Sequence, residues 1–158
     1  MKAGTGIHMT PAQLRAWTRF LEAGRQLEHV LASHLKAEHG MLHSEYEILV
    51  RVDGAGGKMR MGELAAQVIE SHSRVSHTIS RLEKRGWVRR DRSTEDGRGF
   101  DVHITALGSK ELGQASGGHA ALIKHLLLAD LSKGELGRFA DQMQQVIDRI
   151  QRMPEPNR

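Results

Sequence analysis

One stretch of the sequence places arginine, histidine and serine side chains along one side of a predicted helix. Between Ser71 and Arg85, the apolar residues Val75, Ile79 and Leu82 recur at intervals of four and three residues, the spacing of one helix face. The opposite face carries Ser73, Arg74, His77, Thr78, Arg81 and Lys84. Arginine can donate two parallel hydrogen bonds to guanine O6 and N7, and serine can contact a base or a phosphate. The helix is a candidate for insertion into the DNA major groove, although such a face by itself is more often an ordinary solvated surface.

The residues that follow this helix change from helical to strand spacing. An extended run begins at Trp87, and residues 100–104 alternate between apolar and polar side chains. The segment between them, residues 91–99, contains an Asp-Gly pair and a further glycine, which is typical of a hairpin, here with a long charged tip. A short helix over residues 62–69 precedes the candidate recognition helix. The order of three helices and a hairpin predicts a winged helix-turn-helix with a β-hairpin wing.

The positive charge of the chain is concentrated on the recognition helix and the hairpin. The formal net charge is +4, from 23 Lys and Arg against 19 Asp and Glu. Residues 72–98 contain 8 basic and 4 acidic side chains, so the whole excess lies there. A basic patch on one helix and an adjacent hairpin favours DNA over the solvated-surface interpretation. The candidate DNA-binding residues are Ser71, Ser73, Arg74, Ser76, His77, Arg81, Arg92 and Arg98.

Capping signals predict the helices that surround this unit. Thr10 to Gln13 is a capping box with proline at the first helical position, and Gly40 suits a left-handed helix end, so a long first helix is expected between them. Residues 44–47 and 132–135 are two further capping boxes. The glycine pair at 117–118 predicts a bend or break in a fifth helix, because glycine is a poor helix former.

The flanking helices carry more apolar surface than a winged unit of this size can cover. They could fold back on their own chain, but we expect them to pack against a second copy, which makes the protein a homodimer. The predicted organisation is an N-terminal dimerisation helix (1–40), a winged helix-turn-helix DNA-binding region (41–106) and C-terminal dimerisation helices (107–158), forming one intertwined domain. The predicted fold class is mainly α (α+β).

The sequence from residue 61 to residue 108 resembles the MarR family of bacterial transcriptional regulators. The resemblance is carried by Met61–Ala65, Ser71, Ser73, Val75, Arg81–Arg90, Asp96–Gly99 and Ile104–Gly108. It implies a homodimer on a pseudo-palindromic operator, with each recognition helix in a major groove and each wing in a flanking minor groove. Such a protein is typically a repressor that a small ligand releases from DNA.

The resemblance also implies roles for two residues of the wing. Arg98 would be the wing-tip arginine that enters the minor groove, where a narrow A·T-rich groove attracts it electrostatically. Asp96 would pair with an arginine and stabilise the wing, and it also suits a turn by itself. The sequence departs from the commonest family pattern at His72, His77 and Gly97, where arginine is frequent.

A ligand cleft between the winged unit and the dimerisation helices is a further implication of the resemblance. The expected effector is a phenolic compound or an aromatic carboxylate, because arginine can clamp a carboxylate and Trp or Tyr can stack on a ring. The candidate ligand-binding residues are Arg15, Trp17, Arg19, His43 and Tyr46. The alternative is that Trp17 belongs to the dimer core and that the arginines are solvated.

Other classes of function find less support in the sequence. The chain has 10 histidines, but the pairs His72/His77 and His119/His125 are five and six residues apart instead of the four usual for metal binding on a helix. We therefore assign no metal ligand and no cofactor, and keep a zinc-responsive regulator of the same fold as an alternative. A second alternative is an architectural protein that binds DNA without sequence preference.

The sequence also argues against an enzyme and against a membrane protein. It contains no nucleophile elbow, no P-loop and no dinucleotide-binding fingerprint, so we expect no catalytic activity. It has no cysteine, which excludes disulfides and thiol redox sensing. We expect a cytoplasmic location, because no apolar run approaches a membrane span and the first residues lack the apolar core of a signal peptide.

Overall fold

The computed structural model describes residues 9–68, 71–93 and 99–154 of the chain. The described elements, in chain order, are α1 (Pro11–His39), α2 (His43–Gly54), β1 (Lys58–Arg60), α3 (Met61–Gln67), α4 (His72–Lys84), β2 (Val88–Arg92), β3 (Phe100–Ile104), α5 (Ala106–Ile123), a π-helical turn (Lys124–Leu128) and α6 (Lys133–Gln151). The chain divides into two compact units, Met1–Ala120 and Ala121–Arg158. The expected helix-rich fold with a β-hairpin wing is confirmed.

The ends of the long helices follow the capping signals of the sequence. At the start of α1, the Thr10 hydroxyl accepts from the Gln13 N–H (3.2 Å) and the Gln13 side chain accepts from the Thr10 N–H (2.8 Å). Gly40 ends this helix in the left-handed conformation, with φ of 56°. Ser132 and Glu135 form the same reciprocal box at the start of α6. These predictions are confirmed because a cap depends only on residues within one turn.

The second helix begins one residue before Ser44, the cap that the sequence suggested. The capping position is Leu42, and α2 starts at His43. Leucine has no acceptor, so only the return half of the box exists: the Glu45 carboxylate accepts from the Leu42 N–H at 2.9 Å. The predicted cap at Ser44 was wrong. The Glu45 carboxylate instead accepts from the N–H of Leu42, three residues before it, and α2 therefore begins one residue earlier than Ser44.

The fifth helix runs without a break through Gly117 and Gly118, so the predicted break there was wrong. A Cβ atom at Gly118 would lie 2.8 Å from Nε2 of His34 on α1. The glycine is therefore explained by the close packing of α5 on α1, a constraint that outweighs its low helix propensity. The irregular stretch follows later, in the π-helical turn at Lys124–Leu128.

The sheet has three antiparallel strands in the order β1-β3-β2. In the wing, Val88 lies opposite Ile104 and Arg92 lies opposite Phe100. The sequence did not predict β1, which pairs Lys58 with His103 on the other edge of β3. Three residues are too few to show an alternating pattern, so only the pairing with β3 identifies this strand.

The core of the first unit lies beneath α4. Val75, Ile79 and Leu82 are all buried there, as their spacing predicted. Trp87, just before β2, and Val102 of β3 are buried in the same core. Side chains three and four residues apart share one side of a helix. Because that side of α4 packs on the core, its opposite side faces away from the core.

The start of α5 packs unusually closely on the residue that precedes the wing. A Cβ atom at Gly108 would overlap the carbonyl oxygen of Trp87. Thr105 stabilises the same junction, because its hydroxyl accepts from the Gly108 N–H at 3.0 Å and donates to the Gly86 carbonyl at 2.7 Å. The sequence Thr105–Gly108 thus closes the wing onto α5.

Within the second unit, α6 has one apolar face. Phe139, Val146, Ile147 and Ile150 line this face, and each is at least 36% exposed in the single chain. None of the described residues of α6 is buried. The helix that the capping box at residues 132–135 predicted is confirmed.

Candidate nucleic-acid interface

The outward face of α4 presents most of the residues that the sequence assigned to DNA. Ser71 caps the helix, since its hydroxyl accepts from the Arg74 N–H at 3.4 Å. Ser73, Arg74 and His77 are exposed, and Ser76 is partly exposed. Free N–H groups of a helix N-terminus and nearby hydroxyls suit a phosphate oxygen. The first two turns of α4 are therefore the most accessible part of the helix.

Thr78 does not belong to the exposed face on which its position in the helix placed it. It is buried, and its hydroxyl lies 3.4 Å from Nη2 of Arg81. The expectation that it faces outward was wrong. The core that covers Val75 and Ile79 extends over Thr78, so the outward face is narrower than a helical projection suggests.

Arg81 is exposed but its guanidinium already has a carboxylate partner. Its Nε donates to Oε1 of Glu45 at 3.1 Å, while the side chain stays 46% exposed. Glu45 lies on α2, 36 residues earlier in the chain. The charge count along the sequence missed this pair because Glu45 lies outside the basic segment.

Other basic side chains of the segment are also paired within the chain. Arg90 bridges to Glu83 at 2.5 Å, which joins the start of the wing to α4. Arg89 pairs with Asp91 on its own strand. The positive electrostatic potential at the surface of this segment is therefore weaker than the charge count implies, because each internal ion pair offsets the charge of one arginine.

The base of the wing is closed by a backbone hydrogen bond. The Ser93 N–H donates to the Gly99 carbonyl at 2.9 Å, just beyond the strand pair formed by Arg92 and Phe100. Arg92 is exposed at this end of the sheet. Asp96 and Arg98, the two wing residues that the family resemblance singled out, lie outside the described residues.

A buried carboxylate stabilises the far edge of the sheet. Asp101 is almost fully buried and pairs with Nζ of Lys58 on β1 at 2.8 Å. The hydrogen bond from Lys58 holds the pKa of Asp101 below its ordinary value, and the positive charges of Lys58 and Arg60 act in the same direction. The carboxylate is therefore ionised at neutral pH, and it links β1 to the strand that forms the wing.

Comparisons with known proteins match the part of the chain that forms this surface. Residues 42–100 match the MarR family. The chain carries a MarR-family domain. No curated protein sequence gives a significant match.

Solved structures agree with this assignment. AbsC, a MarR family transcriptional regulator from Streptomyces coelicolor, is 28% identical with a TM-score of 0.88, and the match covers 94% of this chain and 100% of that chain. Sco3205, a MarR family transcriptional regulator from the same organism solved in complex with DNA, is 29% identical with a TM-score of 0.87, over 97% of this chain and 95% of that chain.

A more distant structure shares the fold alone. The organohalide-sensing transcriptional regulator RdhR-CbdbA1625 in its 2,4-dichlorophenol-bound form is 15% identical. Its TM-score is 0.75, and the match covers 94% of this chain and 86% of that chain.

The MarR-family domain contains a cleft beside its recognition helix. The cleft has a volume of about 370 Å³ and lies between α2 and α4. Arg74, His77 and Arg81 line one side, and apolar side chains such as Ile48 and Val75 line the floor. It is thus part of the same basic face and not a separate site.

A group of aromatic side chains fills the junction of α1, α2 and α5. His119 is buried, and its ring lies 4.4 Å from that of Tyr46 and 5.9 Å from that of His43, measured between centroids. Among the described residues, Nδ1 of His119 and Nε2 of His34 are buried without a hydrogen-bond partner. The sequence singled out His43 and Tyr46 but not their contact with His119, because the members of the group come from three separate helices.

Burial favours the neutral form of His119. Desolvation lowers the pKa of His119 below its ordinary value, and nearby His43 and His34 lower it further when charged. The junction therefore offers aromatic surface together with imidazole nitrogens that have no hydrogen-bond partner. Those features suit a small ligand with both a ring and a polar group.

The five residues predicted to line a ligand cleft fall into two groups. His43 and Tyr46 belong to the group of aromatic side chains around His119. Arg15, Trp17 and Arg19 are exposed near the start of α1, where Trp17 stacks with Phe20 at 6.1 Å and Arg19 pairs with Glu22. Trp17 lies 17 residues before His34 on one helix, which is about 25 Å along its axis. Within one chain, the structure does not bring the two groups together.

The described residues contain no group of three or more histidine, cysteine, aspartate or glutamate side chains arranged to hold a metal ion. In the described ranges there is also no helix long and apolar enough to span a membrane.

Proposed function

We propose that the protein is a sequence-specific DNA-binding transcriptional regulator, acting as a repressor in the cytoplasm. It binds a pseudo-palindromic operator as a homodimer, and a small anionic aromatic ligand releases it. The observation that carries the proposal is the outward face of α4, where Ser73, Arg74 and His77 are exposed beside a basic hairpin on a fixed core. The DNA complex of Sco3205, with 29% identity, supports the same mode for this chain.

The comparison of operator DNA with random DNA tests this proposal. Labelled DNA from upstream of the protein's own gene should bind more tightly than random DNA by about 10³-fold or more, at each of two salt concentrations. Two concentrations are needed because the phosphate contribution is salt-dependent and independent of sequence. Equal affinity for both DNAs would contradict a regulator and favour an architectural DNA-binding protein.

Replacing Arg98 by alanine should weaken operator binding about ten- to hundred-fold while the dimer stays intact. The reason is the proposed wing-tip position of Arg98, where its guanidinium enters the minor groove. Fluorescence anisotropy measures the affinity, and size-exclusion chromatography checks the dimer. Arg138→Ala, which removes the same charge from α6, is the matched control. If both variants bind the operator equally well, Arg98 does not contact DNA.

The effector is proposed to be a phenolic compound or an aromatic carboxylate. The support is the aromatic junction around Tyr46 and His119, where two buried imidazole nitrogens have no hydrogen-bond partner. A regulator of the same fold was solved with 2,4-dichlorophenol bound, so the fold accommodates such a ring. Arg15, Trp17 and Arg19 remain candidate contacts for the ligand's carboxylate.

A screen of such ligands against the protein–operator complex tests the effector. We expect at least one phenol or aromatic carboxylate to release DNA at micromolar to millimolar concentration, and His119→Phe to raise the concentration needed. Release or gain of binding with zinc alone would instead support the alternative of a zinc-responsive regulator. The organic effector is preferred because of the aromatic junction around Tyr46 and His119.

A further inference from the structure

We propose that Glu45 positions the recognition helix for specific DNA binding by holding the guanidinium of Arg81. The inference rests on the proposed function, since it concerns how that function is achieved. Glu45 is not one of the residues assigned to the DNA surface, and it lies on α2 instead of α4. It acts through Arg81 and Arg85 and does not itself contact DNA.

The carboxylate of Glu45 is buried and joins three donors. The residue is 2% exposed. Oε1 accepts from Nε of Arg81 at 3.1 Å, and Oε2 accepts from Nη1 of Arg85 at 3.2 Å. Oε2 also accepts from the Leu42 N–H at 2.9 Å. A buried carboxylate is stable only with such partners, so the arginines and the start of α2 are held in one arrangement.

Arg85 extends this network to the end of α1 and to the wing. Its Nη1 also donates to the Gly40 carbonyl at 2.9 Å, where α1 ends. Its guanidinium carbon lies 3.4 Å from the centroid of the Trp87 ring, in a cation–π contact. One carboxylate therefore links the α1–α2 connection to the last turn of α4 and, through Arg85, to the residue that precedes the wing.

The consequence for Arg81 is a guanidinium that is both ordered and accessible. Nε is held by Glu45 and Nη2 lies 3.4 Å from the Thr78 hydroxyl, while 46% of the side chain remains exposed. An arginine that is already ordered pays less conformational entropy when it binds a base or phosphate. Glu45 thus prepares Arg81 for one geometry on DNA.

If Glu45 acted only through its charge, its removal would raise the affinity for DNA. Glu45 brings a negative charge close to the DNA-facing helix, so removing it should strengthen non-specific attraction to phosphates. Positioning predicts instead that specific binding is lost. The replacement Glu45→Gln separates these effects, because the amide oxygen can still accept from the Leu42 N–H and maintain the helix start.

Glu45→Gln should lower the affinity for operator DNA about ten-fold while the affinity for random DNA stays equal or rises. The ratio of the two affinities is the quantity that positioning changes. Glu47→Gln is the matched control, because Glu47 lies on the same helix and pairs with Arg51 at 3.0 Å instead of with α4. The control should change both affinities by the same factor and leave the ratio intact.

Each other outcome contradicts the proposal in a recognisable way. A purely structural role would lower both affinities in proportion, together with the midpoint of thermal unfolding. A purely electrostatic role would raise both together. A wild-type protein that does not distinguish operator from random DNA would contradict the proposed function, whereas a wild-type preference that Glu45→Gln retains would contradict only the role of Glu45.

A measurement without DNA tests the same contact. In the free full-length protein, the Arg81 Nε–H should give a protected resonance in a nitrogen-15 correlation spectrum, assigned by its absence in Arg81→Lys. Glu45→Gln should shift it and speed its exchange with water, while Glu47→Gln should not. An Arg81 Nε–H that exchanges freely in the wild-type protein would overturn the proposal whatever the DNA results.

Discussion

Replacing Gly108 by alanine should lower the free energy of unfolding by about 3 kcal/mol, near the upper end of typical overpacking effects. A Cβ at this position would overlap the Trp87 carbonyl oxygen, which is backbone and therefore has little freedom to move. The junction of the wing with α5 would have to open. Thermal unfolding followed by circular dichroism should show a midpoint roughly 6–12 °C lower than that of the wild type.

Gly113→Ala on the same helix is the control for this effect. A Cβ at Gly113 meets no atom within 4 Å. Alanine is the better helix former, so this variant should gain about 0.5–1 kcal/mol. Two variants of equal stability would show that the backbone of Gly108 does not approach Trp87 closely in solution.

Replacing Ile147 by aspartate should convert the proposed dimer into monomers and lower operator affinity roughly a hundred-fold. Ile147 lies in the middle of the apolar face of α6 and is 45% exposed in the single chain. A carboxylate placed in an apolar interface without a partner costs several kcal/mol, and each 1.4 kcal/mol changes a dissociation constant about ten-fold. A monomer would contact only one operator half-site, which explains the loss of DNA affinity.

Analytical ultracentrifugation and anisotropy on the same samples check the two parts of this prediction. Gln145→Asp adds the same charge to α6 on the side away from Ile147, so it should remain dimeric and bind the operator normally. An Ile147→Asp protein that is still dimeric would mean that the apolar face of α6 is not part of the interface. Monomers with full operator affinity would contradict the proposed two-half-site mode.

Local signals explain why so much of the fold could be predicted. The box from Thr10 to Gln13 and the left-handed Gly40 set both ends of α1, and the spacing of Val75, Ile79 and Leu82 identified the buried face of α4. Each signal involves residues within one or two turns. Their energies act whatever the rest of the chain does, so the sequence reveals them directly.

Two errors of prediction, at Gly118 and Thr78, occurred where tertiary packing outweighed a local preference. Gly118 did not break α5, since it accommodates His34 from α1. Thr78 turned inward although its helical position suggested an exposed residue. The local preference that was overcome at Gly118 is about 1 kcal/mol, the cost of a glycine in a helix.

The sequence by itself determined the order of the helices and the hairpin, the recognition helix, the basic wing and the resemblance to the MarR family, all of which depend on neighbouring residues. Only the tertiary structure decided that Glu45 holds Arg81 and Arg85, which lie 36 and 40 residues further along the chain. It also brought His43, Tyr46 and His119 together and separated them from Trp17. The physical reason is that charge pairs and aromatic contacts form between side chains that meet in space, and the spacing of residues along a chain contains no information about which distant faces will meet.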